Sequence, residues 1–149
     1  MKKFRRLIAL TVWVAAIALM CVACESDLDV KQVYSFSLET MPVQKKIVNG
    51  ETAEIRCTLV QEGDYDQARY FIRYFQPDGK GELRLDDGTV FAPNDLYPLE
   101  RMVFRLYYTS HCEDQQVIDV YIQDNYGQVV SASFSFQNES NEEEGPDGE

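Results

Sequence analysis

From Gln32 onward the chain alternates apolar and polar side chains in short runs broken by turn residues, and no stretch keeps a helical period for more than a turn or two. A period of two sends successive side chains to opposite faces of an extended strand, so such a chain buries its apolar half only by forming sheets. Strands are predicted near Gln32 to Thr40, Glu51 to Val60, Arg69 to Gln76, Gly81 to Leu85, Glu100 to Thr109, Gln116 to Gln123 and Gln128 to Gln137. These seven strands suggest an all-β sandwich of two antiparallel sheets.

The same period assigns the faces. Ala53, Ile55, Cys57 and Leu59 share one side of their strand, with Glu54, Arg56 and Thr58 on the other. Met102, Phe104, Leu106 and Tyr108 form a second inward row, Ile118, Val120 and Ile122 a third, and Val130, Ala132, Phe134 and Phe136 a fourth. Between the last two strands, "DNYG" supplies Asp124, Asn125 and Gly127, residues that tolerate positive φ in a tight hairpin. The stretch "VIDVYIQDNYGQVVSASFSF" resembles the terminal hairpin of bacterial immunoglobulin-like domains. The domain is therefore expected over residues 32–137, followed at 138–149 by an acidic tail without large apolar residues, a composition that favours disorder.

The amino terminus reads as a leader over residues 1–23. Lys2 to Arg6 is cationic, Leu7 to Met20 is apolar, and the small residue Ala23 precedes Cys24. Fourteen apolar residues are few for a bilayer-spanning helix. "CVAC" resembles a bacterial lipobox, in which a signal peptidase cuts before a lipidated cysteine. Cys24 is the better candidate, because cleavage before Cys21 would follow the bulky Met20. Cys21 itself stands where that motif usually carries an aliphatic residue. One acyl chain holds a protein only marginally, but at about 0.8 kcal/mol per buried methylene several chains hold it stably. Residues 24–31 then form a lipidated cysteine and an acidic spacer, which also looks like the surface-export signal of some Gram-negative gut bacteria.

Charge restricts the partners. Of fourteen basic residues, Lys2, Lys3, Arg5 and Arg6 precede position 24, where no Asp or Glu occurs, so ten basic residues face 25 acidic ones beyond it. A surface of that sign does not suit nucleic acid, whose non-specific affinity comes from neutralised phosphates. Chemistry-bearing motifs are absent too: there is no glycine-rich phosphate loop, no G-x-S-x-G and no H-E-x-x-H. Asp78, Asp86, Asp87 and Asp124 lie beside turn glycines, where aspartate bonds nearby backbone amides. His111 and Cys112 are adjacent, so their side chains do not aim together, and no third group is identifiable to orient them. The chain is read as a non-enzyme without metal or cofactor.

Cys57 and Cys112 would both lie outside the cytoplasm, where a disulfide can persist. A bridge between them stays open here, but the strand map puts Cys57 inward at mid-strand and Cys112 in a loop, which speaks against it and favours Cys57 as a small core hydrophobe. One surface feature stands out in "RYFIRYF". With Tyr70, Ile72 and Tyr74 inward, Phe71, Arg73 and Phe75 line the outer face, joined by Tyr121 and Asp119 from the neighbouring strand. That composition suits a protein-binding hot spot. Equally, the long connection "DDGTVFAPNDLYPLE" could fold over the same face and bury it.

The stretches "ACESDLD", "VNGETAEIRC", "RYFIRYFQPDGKGELRLDDGTVFAPNDLYPLERMVFRLYYTS" and "DQQVIDVYIQDNYGQ" resemble the conjugative-transposon TraQ family of small lipoproteins over nearly the whole mature chain. The resemblance implies an immunoglobulin-like domain in or beside the mating apparatus, and the lipidated Cys24 is expected to hold it in the cell envelope as an outer-membrane lipoprotein, on the periplasmic face or the cell surface. Its implied partners are other conjugative-transfer proteins and, through the anchor, the membrane. It supplies no catalytic residues. The expected function is that of an accessory or structural component acting by protein binding through Phe71, Arg73, Phe75 and Tyr121. A surface glycan-binding or adhesin module, stacking sugars on the same aromatics, is the alternative.

Overall fold

A computed structural model describes residues 34–64 and 66–138; the leader, Cys24, the acidic spacer and the tail beyond Asn138 lie outside the described residues. The described residues belong to a single compact unit. The described elements are all strands: β1 (Phe36–Thr40), β2 (Lys46–Ile47), β3 (Thr52–Gln61), β4 (Tyr70–Asp78), β5 (Gly81–Leu85), β6 (Tyr97–Leu99), β7 (Val103–Ser110), β8 (Gln116–Asp124) and β9 (Val129–Asn138).

They form two sheets, β1-β3-β7-β5 and β2-β9-β8-β4-β6. The first has the order of one immunoglobulin sheet, and β9, β8 and β4 repeat that of the other. All pairs are antiparallel except β2 with β9. All seven expected strands are present, and the inward rows follow the alternation. Ile55 pairs with Leu106 and Cys57 with Phe104 across β3 and β7, while Ile72 pairs with Ile122 and Ile118 with Phe134 in the opposite sheet. These side chains are almost wholly buried. At about 1.5–3 kcal/mol for each large apolar side chain removed from water, this double layer is the main stabilising element. Met102, Val130 and Ala132, expected in the core, are only partly buried against it, Met102 lying just before β7 and Val130 and Ala132 within the first four residues of β9.

Two strands are additional to the seven. β2 and β6 are too short to show a period, and each pairs along one side only, on the outer edges of the same sheet. β6 arises inside the connection "DDGTVFAPNDLYPLE" and decides where that connection goes. Leu99 pairs with Tyr70 and Tyr97 with Ile72, facing the core, and Pro98 pairs with Phe71. Proline is tolerated there because an edge strand leaves one row of amides unpaired. Phe91 enters the inter-sheet space, its ring 4.8 Å from that of Tyr97 and 6.4 Å from that of Tyr74. The connection thus closes the side of the sandwich instead of lying across its outer face.

The expected hairpin joins β8 to β9, with Gly127 at φ 90°. Asp124 fixes it: one carboxylate oxygen accepts from the amides of Tyr126 and Gln128, and the other accepts from the Gln128 side chain.

Candidate functional site

β4 presents Phe71, Arg73 and Phe75 on the face opposite its buried Tyr70, Ile72 and Tyr74. β8 presents Asp119, Tyr121 and Gln123 opposite Val120 and Ile122. The antiparallel register sets Arg73 beside Tyr121, Phe75 beside Asp119 and Phe71 beside Gln123. All four residues singled out in the sequence, Phe71, Arg73, Phe75 and Tyr121, are therefore together on one face, each partly exposed.

Their geometry is specific. Phe75 and Tyr121 meet edge to face with ring centroids 5.5 Å apart and planes at 87°, an arrangement the aromatic quadrupole favours. The guanidinium carbon of Arg73 lies 5.9 Å from the centre of the Phe75 ring and 5.7 Å from that of Tyr121, within reach of attraction to both. Packing against these rings buries Arg73 Nε, which has no hydrogen-bond partner among the described residues. The ion pairs among the described residues run elsewhere, from Arg56 and Arg105 to Glu54 and from Arg101 to Asp86. The face thus carries a cation that is held in place by aromatic rings and has no carboxylate partner among the described residues.

The other candidates resolve as turns and core. Asp78 and Asp87 accept the amides of Gly79 and Thr89, as turn aspartates do. His111 is exposed, its amide donating to the Lys80 carbonyl, while the Lys80 amide donates to Cys112 Sγ at 3.2 Å. These two bonds pin the corner to a neighbouring loop. Cys57 and Cys112 are both free thiols, and burial pushes that of Cys57 up to about 12. No group of three or more His, Cys, Asp or Glu side chains suited to a metal occurs among the described residues.

Two features escaped the sequence reading. A buried polar cluster links Gln76, Tyr108, Gln116 and Ser110 at one end of the sandwich. Its signal was present: Gln116 continues the inward row of Ile118, Val120 and Ile122 by one more step of two. A cavity of about 460 Å³ opens beside β6, with Leu85, Phe91, Leu99 and Phe104 in its lining and Asp86 and Arg101 beside them. Such a gap has no signature in the sequence, because its lining comes from separate segments that meet only in the fold.

The crystal structure of a conjugative transposon lipoprotein from Bacteroides eggerthii superposes with a TM-score of 0.67 at 45% identity, covering 71% of this chain and all of that one. The solution structure of a lipoprotein from Bacteroides thetaiotaomicron gives 0.66 at 57% identity, covering 82% of this chain and 94% of that one. That of a conjugate transposon protein from Bacteroides vulgatus gives 0.64 at 43% identity over 81% and 98%. No curated protein matches the chain. The family model of the TraQ conjugal transfer protein matches residues 7–139, nearly all of the leader and sandwich, and the chain belongs to that family.

Proposed function

We propose that this protein is a lipid-anchored accessory of conjugative transfer, fixed in the cell envelope through Cys24, that holds partner proteins on the outer face of its five-stranded sheet. The role in transfer follows from the family and from solved relatives described as conjugative transposon proteins. The anchor is supported by the lipobox-like "CVAC" and by relatives described as lipoproteins. Tethering confines the domain to the membrane surface and so raises its effective concentration toward other envelope proteins.

The observation that carries the binding role is the aromatic cluster around Arg73. Arginine and large aromatics are the side chains that dominate interface energies, and here they stand partly exposed on one sheet face, left open by the long connection. Preorganisation adds to this: the rings already hold the guanidinium, so little side-chain entropy remains to be lost on docking.

The test is capture from donor cells by the tagged, lipidated protein. Transfer proteins are expected to co-purify with the parent, and to be lost with Phe71→Ala and Phe75→Ala at an unchanged melting temperature. Capture indifferent to both substitutions removes the proposed face. Glycan-array binding without any transfer protein would favour the adhesin reading instead. Cys24→Ser is expected to abolish fatty acylation and membrane recovery, and to lower the yield of transconjugants.

A further inference from the structure

β9 is a sheet edge left open over most of its length. β2 pairs with it only at Gln137 and Asn138, so the side of Val129 to Phe136 away from β8 has no strand beside it among the described residues. Two hydrogen bonds show which residues face that side. The Asp124 amide donates to the Gln128 carbonyl, which turns the even-numbered residues of β9 toward β8, and the Gln137 amide donates to the Lys45 carbonyl, which turns the odd-numbered ones away. Val129, Ser131, Ser133 and Ser135 therefore present their amides and carbonyls to the free edge, and all four residues are exposed.

Sheet edges ordinarily carry a proline, a charge or a cover that keeps other chains from pairing with them. The remaining edges of this domain do. β6 holds Pro98, β1 the exposed Glu39 and β2 the exposed Lys46. β5 bonds to the segment that follows it, the Leu85 amide donating to the Thr89 carbonyl and the Phe91 amide to that of Leu83. β9 has no such device: Val129–Asn138 contains no proline and no charged residue, whereas every other strand longer than three residues carries a charge. In a chain with 25 acidic and 14 basic residues, this is the edge at which two copies meet without opposing like charges.

We propose that β9 pairs antiparallel with β9 of a second copy about a two-fold axis through Ala132, joining the two five-stranded sheets into one. A closed two-fold contact must be self-complementary, and this register is. Ser131 meets Ser133 and Val129 meets Ser135 in both directions, so every free residue of the edge is used, each pair exchanging two N–H···O bonds. About eight bonds result, within the range of about 5–15 found in a typical specific interface. On the inner side Ala132 meets Ala132 and Val130 meets Phe134, apolar against apolar. Moving the axis to Ser133 sets Val129 against Gln137, whose amide is already bonded to Lys45, and moving it to Ser131 sets Ser135 against Gly127 in the turn.

The pairing places both aromatic clusters on one face. Arg73, Tyr121 and Ser131 lie in one row, which continues through Ser133, Asp119 and Phe75 of the second copy. Five strand spacings of about 4.8 Å set the two β4 strands roughly 24 Å apart, and a partner with two docking points engages both. That consequence rests on the partner-binding reading of the face; the pairing itself does not.

Disulfide trapping in envelopes of donor cells tests it, with the full chain expressed from its own leader and Cys112→Ser removing the partly exposed native thiol. Ala132→Cys puts two thiols across the axis at a non-bonded pair, with α-carbons about 4.5 Å apart and so within disulfide reach. Ser135→Cys puts them about 20 Å apart. A linked homodimer is expected for the first and none for the second. Adding Ser133→Pro to Ala132→Cys is expected to abolish the dimer at an unchanged melting temperature, because that amide takes no part in the fold. Adding Ser131→Glu with Ser133→Glu instead should do the same, setting like charges opposite each other while keeping every amide; should the proline itself lower the melting temperature, the glutamate pair decides. No dimer at Ala132→Cys, equal trapping at both positions, or trapping that survives the glutamate pair overturns the proposal. So does a disulfide to a different protein, which gives the edge to that protein's strand. A trapped dimer with partner capture indifferent to Phe71→Ala and Phe75→Ala keeps the pairing and removes the two-point face.

Discussion

Tyr108 on β7 donates its hydroxyl to Oε1 of Gln116 on β8 at 2.7 Å, and both side chains are wholly buried between the sheets. The same hydroxyl accepts from Nε2 of Gln76 at 2.7 Å, and Nε2 of Gln116 donates to Ser110 Oγ at 2.9 Å. Each buried polar atom of the cluster thus finds its partner in another member, and below the cluster the Tyr108 ring stacks on Phe136 at 5.2 Å.

Removing one member strands the others. Tyr108→Phe leaves the Gln116 acceptor and the Gln76 donor unpaired, at a cost of about 1–3 kcal/mol. Gln116→Leu removes the acceptor of the phenol. The double variant is expected to cost less than the sum, with a coupling of roughly 0.5–3 kcal/mol. Urea unfolding of the four proteins measures it, and strict additivity would mean that the two groups are energetically independent.

Gly81, at the start of β5, lies against the same phenol. A Cβ placed there would come within 2.3 Å of the Tyr108 oxygen and 2.4 Å of its ring carbon. The ring is locked by its stack and its hydrogen bonds, so it cannot yield cheaply, and Gly81→Ala is expected to destabilise by about 1–3 kcal/mol through overpacking. Gly88 is the contrast: nothing lies within 4 Å of its Cβ position, but its φ of +95° strains any L side chain. The effect of Gly81→Ala should shrink when Tyr108 is replaced by Leu, whereas that of Gly88→Ala should not change. Thermal melts of both pairs test this.

These sites mark how far the sequence could be read. Long strands such as β3, with Ala53, Ile55, Cys57 and Leu59 all inward, were legible because ten residues repeat one rule. The aromatic face was legible for the same reason, since inward Tyr70, Ile72 and Tyr74 force Phe71, Arg73 and Phe75 outward. β2 and β6 were not, because two or three residues carry no period and Pro98 argues against a strand until an edge position is known. The route of Phe91 into the core depends on β6 capping β4, a non-local event. Gln116 was passed over because a polar residue on an inward row makes sense only once Tyr108 and Ser110 are known to meet it.

The two thiols of the sandwich should behave oppositely. Cys57 is buried and its thiol sits at about 12 against an ordinary 9.0, because burial disfavours the thiolate. Between about pH 9 and 12 the unfolded chain therefore holds fewer protons than the folded one, and stability falls as pH rises. Below that window Cys57 adds no slope. Tyr108, raised by burial from 10.0 to about 12, contributes in the same direction over the upper part of the range. Cys57→Ala should flatten the fall. Under native conditions near pH 8, mass-spectrometric mapping after alkylation should find Cys112 modified and Cys57 modified only after unfolding. Rapid native labelling of Cys57 would show that the core opens there.

Arg73 offers the sharpest separation of function from stability. Its guanidinium gains about 0.5–1 kcal/mol from partly exposed aromatic contacts, while a buried donor without a partner costs about 1–3 kcal/mol. Methionine has a similar unbranched stem, packs well against rings and leaves nothing unpaired. Arg73→Met is therefore expected to leave the domain as stable as the parent or more so, by up to about 2.5 kcal/mol, the largest difference between those two terms. The same substitution should abolish the charge-dependent part of partner capture, which Arg73→Lys should restore only in part because lysine lacks the planar fork. Urea midpoints and capture measured on the same preparations decide the matter. A variant that unfolds earlier while capturing normally would make Arg73 a packing residue, and the face would then need another reason to present a cation among its rings.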